Sequence, residues 1–414
     1  MALINKKLFL IGLIAPIPLF LIPDFPFIYI NIISEDLSWV EKGVPPYTGY
    51  TASLGLAAPL ILLSAFLTFI VFIFNKKDSY KKEFFQALIL ILIFSGITLF
   101  LSNSIKVLGP ISSFIGFFMT CFIFASKRWR NYSQGFLLGI SIFCILHALS
   151  IIFFGFNFSK NSEGISVFKI EIYQALVSYA GFISFFFGTL ILNHRIFKDL
   201  PFLKNKIMHE RIFYLVVLFS SFLIISMTSR RLSILVCLLA CAMFSINLLI
   251  NGKLYQKWKS IIFVFAIIFL CLLIANNFYP EYKSLSYENM IEPRLSAYLD
   301  RINFIFDSSN NQLIFGSLDG WAQIENGIID IVLNTGLFGL FAFTLIFTYA
   351  TILLKKIALR NVEWSSRSII YLIFSILVLF LNNVVNNGIS TPYFFICFMI
   401  LLTITLKSHQ NKSY

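Results

Sequence analysis

Twelve apolar runs of about 16 to 28 residues recur along this 414-residue chain, and they limit what it can become. About 20 apolar residues coiled as a helix cross a hydrocarbon layer roughly 30 Å thick. Lipid offers no hydrogen bonds, so a crossing backbone must satisfy its own polar groups, as an α-helix does. The runs fall approximately at 8–23, 52–74, 84–102, 107–126, 135–155, 171–192, 212–227, 232–250, 261–276, 327–354, 368–386 and 392–406. Only 12% of residues are charged, whereas a soluble domain carries roughly 25%. The sequence predicts an all-α, polytopic integral membrane protein of about 12 transmembrane helices, forming a single membrane-embedded domain over 1–414. Lys6 and Lys7 precede the first run, but no small-residue cleavage motif follows it. It reads as an uncleaved first span kinked by Pro16 and Pro18.

The net charge of +13 could suggest nucleic acid, but its distribution excludes that partner. The basic residues sit in short connections between apolar runs. With the N-terminus cytoplasmic, 23 of the 32 Lys and Arg fall in the inner segments, and 14 of the 19 Asp and Glu fall outside or at the outer helix ends. Positive charge is held inside during insertion, so both termini are predicted to be cytoplasmic. Trp129, Trp258 and Trp364 lie beside the inner basic clusters, where interfacial anchors belong. All six cysteines fall inside apolar runs, which suits small packing residues rather than a disulfide framework or a thiolate metal site.

Two outer segments are substantial: 24–51, and the 277–326 loop between spans 9 and 10. The second holds Leu295, Tyr298, Leu299, Ile302 and Ile305 at helical spacing, so it reads as a folded cap over a periplasmic site.

The residues that could carry chemistry crowd this outer side. Thr228-Ser229-Arg230-Arg231 joins spans 7 and 8 where positive charge is scarce. An arginine kept near hydrocarbon is costly, and its planar guanidinium grips phosphate with two prongs. The alternative is snorkelling to lipid headgroups. Arg294 and Arg301 stand seven residues apart, on one side of a helix, with Glu292 and Asp300 near enough in sequence to pair with them. Glu325, Asn326 and Asp330 open span 10. A carboxylate there can take a proton from a sugar hydroxyl, or simply cap the helix. Asn382, Asn383, Asn386 and Asn387 close span 11 with amides suited to sugar hydroxyls. His194, His209 and His409 are cytoplasmic and His147 lies mid-span, so no histidine base or histidine metal centre is expected on the outer face. No phosphate-binding glycine loop or nucleotide-sugar domain is present, so a glycosyl donor would have to be lipid-linked.

With these residues in view, the chain resembles the bacterial O-antigen polymerase and ligase superfamily, most strongly over about 220–345. The matching pieces are Ser229-Arg230-Arg231 at the start of a span, then the Arg294 to Tyr298 stretch. Ile314-Phe315-Gly316-Ser317-Leu318-Asp319-Gly320 follows. Last come Glu325-Asn326, nine residues, and Gly336-Leu337-Phe338-Gly339. The position of the ligase-type histidine holds Glu325, which favours the polymerase branch. The resemblance implies transfer between undecaprenyl-diphosphate-linked glycans on the periplasmic face of the inner membrane, without metal or cofactor. It also implies a chain-length regulator protein as a partner. Arg230, Arg231, Arg294 and Glu325 would be catalytic, and Arg301, Asp319, Asn326 and Asp330 would bind substrate. A ligase-type transferase or a lipid-linked oligosaccharide flippase is the alternative.

Overall fold

The computed structural model describes residues 2–16, 130–154, 158–160, 166–168, 170–198, 200, 202–203, 206–228, 231–251, 299–300, 303, 306–307, 309–315, 329, 332, 336–341, 344, 348, 366–385, 397–398 and 400–406. They are helical almost throughout. The helices are α1 (Ala2–Ile14), α2 (Arg130–Phe154), α3 (Ile170–Leu192), α4 (Ile207–Thr228), α5 (Arg231–Asn251), α6 (Asn310–Phe315) and α7 (Ser366–Val385). Between α2 and α3, the three-residue strands β1 (Phe158–Lys160) and β2 (Ser166–Phe168) pair antiparallel. Among the described residues, three helical stretches are long and apolar enough to cross a membrane: Arg130–Leu149, Ile207–Ser226 and Leu232–Leu249. The runs predicted at 52–74, 84–102, 107–126 and 261–276 lie outside the described residues.

The chain gathers into two compact units, 1–70 with 127–272, and 71–126 with 273–414. In the first unit, α1 meets α2 backbone to backbone. A Cβ built on Gly12 would collide with the Tyr132 carbonyl, and one on Gly135 with the Phe9 carbonyl. One on Gly139 would sit 2.5 Å from the Leu13 carbonyl oxygen. Gly135 and Gly139 are one turn apart, the small-x-x-x-small arrangement that lets two helices approach closely in lipid. The meeting points run from Phe9 with Gly135 to Leu13 and Pro16 with Gly139, so the two helices point the same way. α1 ends at Ile14 in a turn at Ala15 and Pro16, since proline disfavours helical geometry in the residue before it.

α3 and α4 form an antiparallel hairpin. Tyr214 donates its hydroxyl to the Leu190 carbonyl at 3.1 Å, and the Phe187 and Phe222 rings lie 6.0 Å apart. The last four carbonyls of a helix lack an acceptor's usual partner, so Tyr214 supplies a donor that the α3 terminus needs. The connection is a run of three-residue turns: Ile196 to Asn193, Lys198 to Arg195, Leu200 to Phe197, Leu203 to Leu200 and Lys206 to Leu203, at 3.0–3.1 Å. Its apolar side chains Ile196, Phe197, Leu200 and Leu203 turn inward, and Phe213 packs edge-on against Phe197 and Phe202. Its polar side chains His194, Arg195, Lys198 and Lys206 stay exposed.

α5 packs on α3, and it buries Leu232, Val236, Cys237, Ala240 and Cys241, a stripe at helical spacing. α4 packs on α2, where Cys144 and Ser221 lie within hydrogen-bonding reach. The opposite face of α4 exposes Ile207, Met208, Ile212, Leu215 and Phe219. An outward apolar face of this kind suits acyl chains. Cys144, Cys237, Cys241 and Cys397 are all buried, in the packing role expected of them. His147 is buried on α2, edge-on to Phe143 at 4.0 Å.

In the second unit, α7 buries Tyr371, Phe374, Ser375 and Val378 at three- and four-residue spacing. Ser375 satisfies its hydroxyl on the Tyr371 carbonyl at 2.8 Å.

Candidate functional site

Of the eight residues singled out for chemistry, Arg231 alone falls within the described residues. Arg230, Arg294, Arg301, Asp319, Glu325, Asn326 and Asp330 lie outside them, as do Asn386 and Asn387. Arg231 is the first residue of α5, and Thr228 is the last of α4. Ser229 and Arg230, the middle of the tight turn expected at Thr228–Arg231, lie outside the described residues. The first four N–H groups of α5 have no acceptor within the helix, and the aligned peptide dipoles leave this end partly positive. Such a helix start favours an anion over a cation.

Ser233 is the residue that sequence reasoning passed over. It stands in the first turn of α5, is 1% exposed, and its Oγ has no hydrogen-bond partner. Its signal in the sequence was slight: a serine two places after a pair of arginines.

Apart from Ser309, which precedes α6, the described residues of the 277–326 segment are helical. Leu299, Asp300, Asn303, Phe306 and Asp307 lie in helix, with Phe306 strongly exposed. α6 begins with a capping box. The Ser309 Oγ accepts from the Gln312 N–H at 3.4 Å, while the Gln312 Oε1 accepts from the Ser309 N–H at 3.2 Å. Each side chain thereby satisfies an orphan donor of the other. Spacing alone predicted helix here, and at these residues helix is found.

Gly336 departs from the expected uninterrupted span over 327–354. Its φ is +67°, in the left-handed region, with helical residues at 329 and 332 before it and at 336–341 from it onward. No right-handed helix continues through such a residue. Glycine is required there by its backbone, a stronger demand than the helix packing suggested by the Gly336-x-x-Gly339 spacing. Both glycines are buried.

Among the described residues, no three His, Cys, Asp or Glu side chains gather to hold a metal ion. No protein-family model matches the chain, and no curated protein matches it by sequence.

Proposed function

We propose that this chain is a polysaccharide polymerase of the bacterial inner membrane, with about 12 spans, both termini cytoplasmic, and its active site on the periplasmic face beneath the 277–326 segment. The observation that carries the reading is the start of α5, where Arg231 opens a long apolar helix at the end remote from the exposed basic turn at 193–206. The excess of Lys and Arg in the inner segments supports the orientation. The substrates are two undecaprenyl-diphosphate-linked glycans. A hydroxyl of one attacks the anomeric carbon of the sugar bonded to the diphosphate of the other. A C–O glycosidic bond forms, the C–O bond to phosphate breaks, and undecaprenyl diphosphate leaves with the electron pair. Arg230, Arg231 and Arg294 offset the charge that grows on the leaving group. Glu325, or an acid of the 277–326 segment, accepts the hydroxyl proton. Arg301, Asp319, Asn326 and Asp330 bind the sugars.

The test is chain extension in cells. Arg231→Ala and Arg294→Ala should each leave protein level intact and remove the ladder of long polysaccharide, leaving single repeat units on the acceptor. Normal ladders in both variants would refute the site. Complete loss of repeat units from the acceptor would instead identify the chain as a ligase.

A further inference from the structure

We infer that the Ser233 hydroxyl is a diphosphate-binding donor at the first turn of α5; this rests on the polymerase reading and extends it to a residue that the sequence motif does not include. Serines and threonines buried in helices elsewhere in this protein settle their hydroxyls on the carbonyl one turn back. Ser141 donates to Leu137, Thr189 to Phe185, Ser221 to Val217 and Thr405 to Leu401, at 2.6–2.9 Å. Ser233 does not follow them. It is the third residue of α5, and the residue one turn back, Ser229, precedes the helix. Its Oγ is buried and has no hydrogen-bond partner. Side chains on a helix lean toward its N-terminus. The hydroxyl therefore leans toward the same end as the N–H groups of Arg231, Leu232 and Ser233, which as first-turn donors have no acceptor within α5. A buried donor beside a fan of backbone donors matches an acceptor-rich anion. Phosphate oxygens are acceptors only, and a diphosphate presents several at once. The group that fits is the diphosphate of a polyprenyl carrier, with its chain in the membrane.

The experiment uses the full chain in phosphatidylcholine nanodiscs, with farnesyl diphosphate as the probe and inorganic pyrophosphate as competitor. Farnesyl diphosphate should bind saturably and be displaced by pyrophosphate. Ser233→Ala, and Ser233→Cys with its nearly unchanged volume, should bind it roughly tenfold more weakly, the loss of one hydrogen bond to a charged group. Without ligand, Ser233→Ala should unfold at the same or a higher denaturant midpoint than the parent, since it removes a buried donor that has no acceptor. A lower midpoint would show that the hydroxyl is structural and would overturn the inference. So would unchanged binding by both variants. If Arg231→Ala alone loses binding, the inference fails and the polymerase reading stands. If the parent protein binds no diphosphate, both fail. Displacement by phosphatidylglycerol as effective as that by pyrophosphate would assign the turn to phospholipid headgroups and overturn the inference.

Discussion

Replacing Gly135 by alanine sets two opposing effects against each other, and the structure decides between them. In an open helix, Gly→Ala gains about 1 kcal/mol, because alanine loses less backbone freedom on folding. At Gly135 the new Cβ would meet the Phe9 carbonyl, with the Leu13 nitrogen 2.8 Å away and the Phe9 carbonyl carbon at 3.0 Å. All three atoms are backbone, so no flexible side chain can swing aside. α1 must move away from α2, and overpacking of this kind costs roughly 1–3 kcal/mol. The separation also strains Gly12 and Gly139, which meet α1 and α2 backbone along the same line. Taking the upper half of that range, the net effect is a loss of about 1–2 kcal/mol. The assay is denaturant unfolding of the purified protein in detergent, followed by far-ultraviolet circular dichroism. Gly135→Ala should lower the midpoint, and Gly135→Leu should lower it further. A Gly135→Ala protein about 1 kcal/mol more stable than its parent would refute the close approach of α1 and α2.

Three further outcomes follow from particular contacts. Tyr214→Phe removes the donor to the Leu190 carbonyl and should cost about 0.5–1.5 kcal/mol in the same unfolding assay. Gly336→Ala forces a Cβ into the left-handed region at about 1–2 kcal/mol, and should lower the unfolding midpoint more than Gly339→Ala does if backbone geometry is the stronger constraint. Ser309→Ala breaks the capping box and should speed amide exchange in α6, at a cost of about 1 kcal/mol, without altering exchange in α7.

The apolar runs marked helices well where helices are described. The run at 171–192 became α3, Ile170–Leu192, and the run at 232–250 became α5, Arg231–Asn251. Two others proved too short at the start. α4 begins at Ile207 rather than 212, because Met208, His209, Glu210 and Arg211 are compatible with helix although they end the apolar stretch. Likewise α2 begins at Arg130 rather than 135. Hydropathy marks where a helix can meet lipid, not where its hydrogen bonds stop. What the sequence hid were features made by partners or by dihedrals. Gly12 and Gly135 are far apart in the chain, and nothing in either run names the other. Gly336 sits in a Gly-x-x-Gly pattern that speaks of packing, whereas its φ speaks of a broken helix. Ser233 gave no sign of its buried hydroxyl, since burial depends on tertiary packing. For the candidate site, Arg230 and Arg231 stood out because two arginines between apolar runs are costly without a purpose, and the structure describes Arg231 at the start of α5. The roles of Arg294 and Glu325 rest on the resemblance and on spacing alone.

The most direct test of the central claim is reconstitution of the purified chain in liposomes with undecaprenyl-diphosphate-linked repeat units and no other protein. The account predicts oligomers of two or more repeats, with one undecaprenyl diphosphate released per bond formed, and loss of both in Arg231→Ala. Repeat units recovered unjoined, or joined equally well by Arg231→Ala, would contradict it.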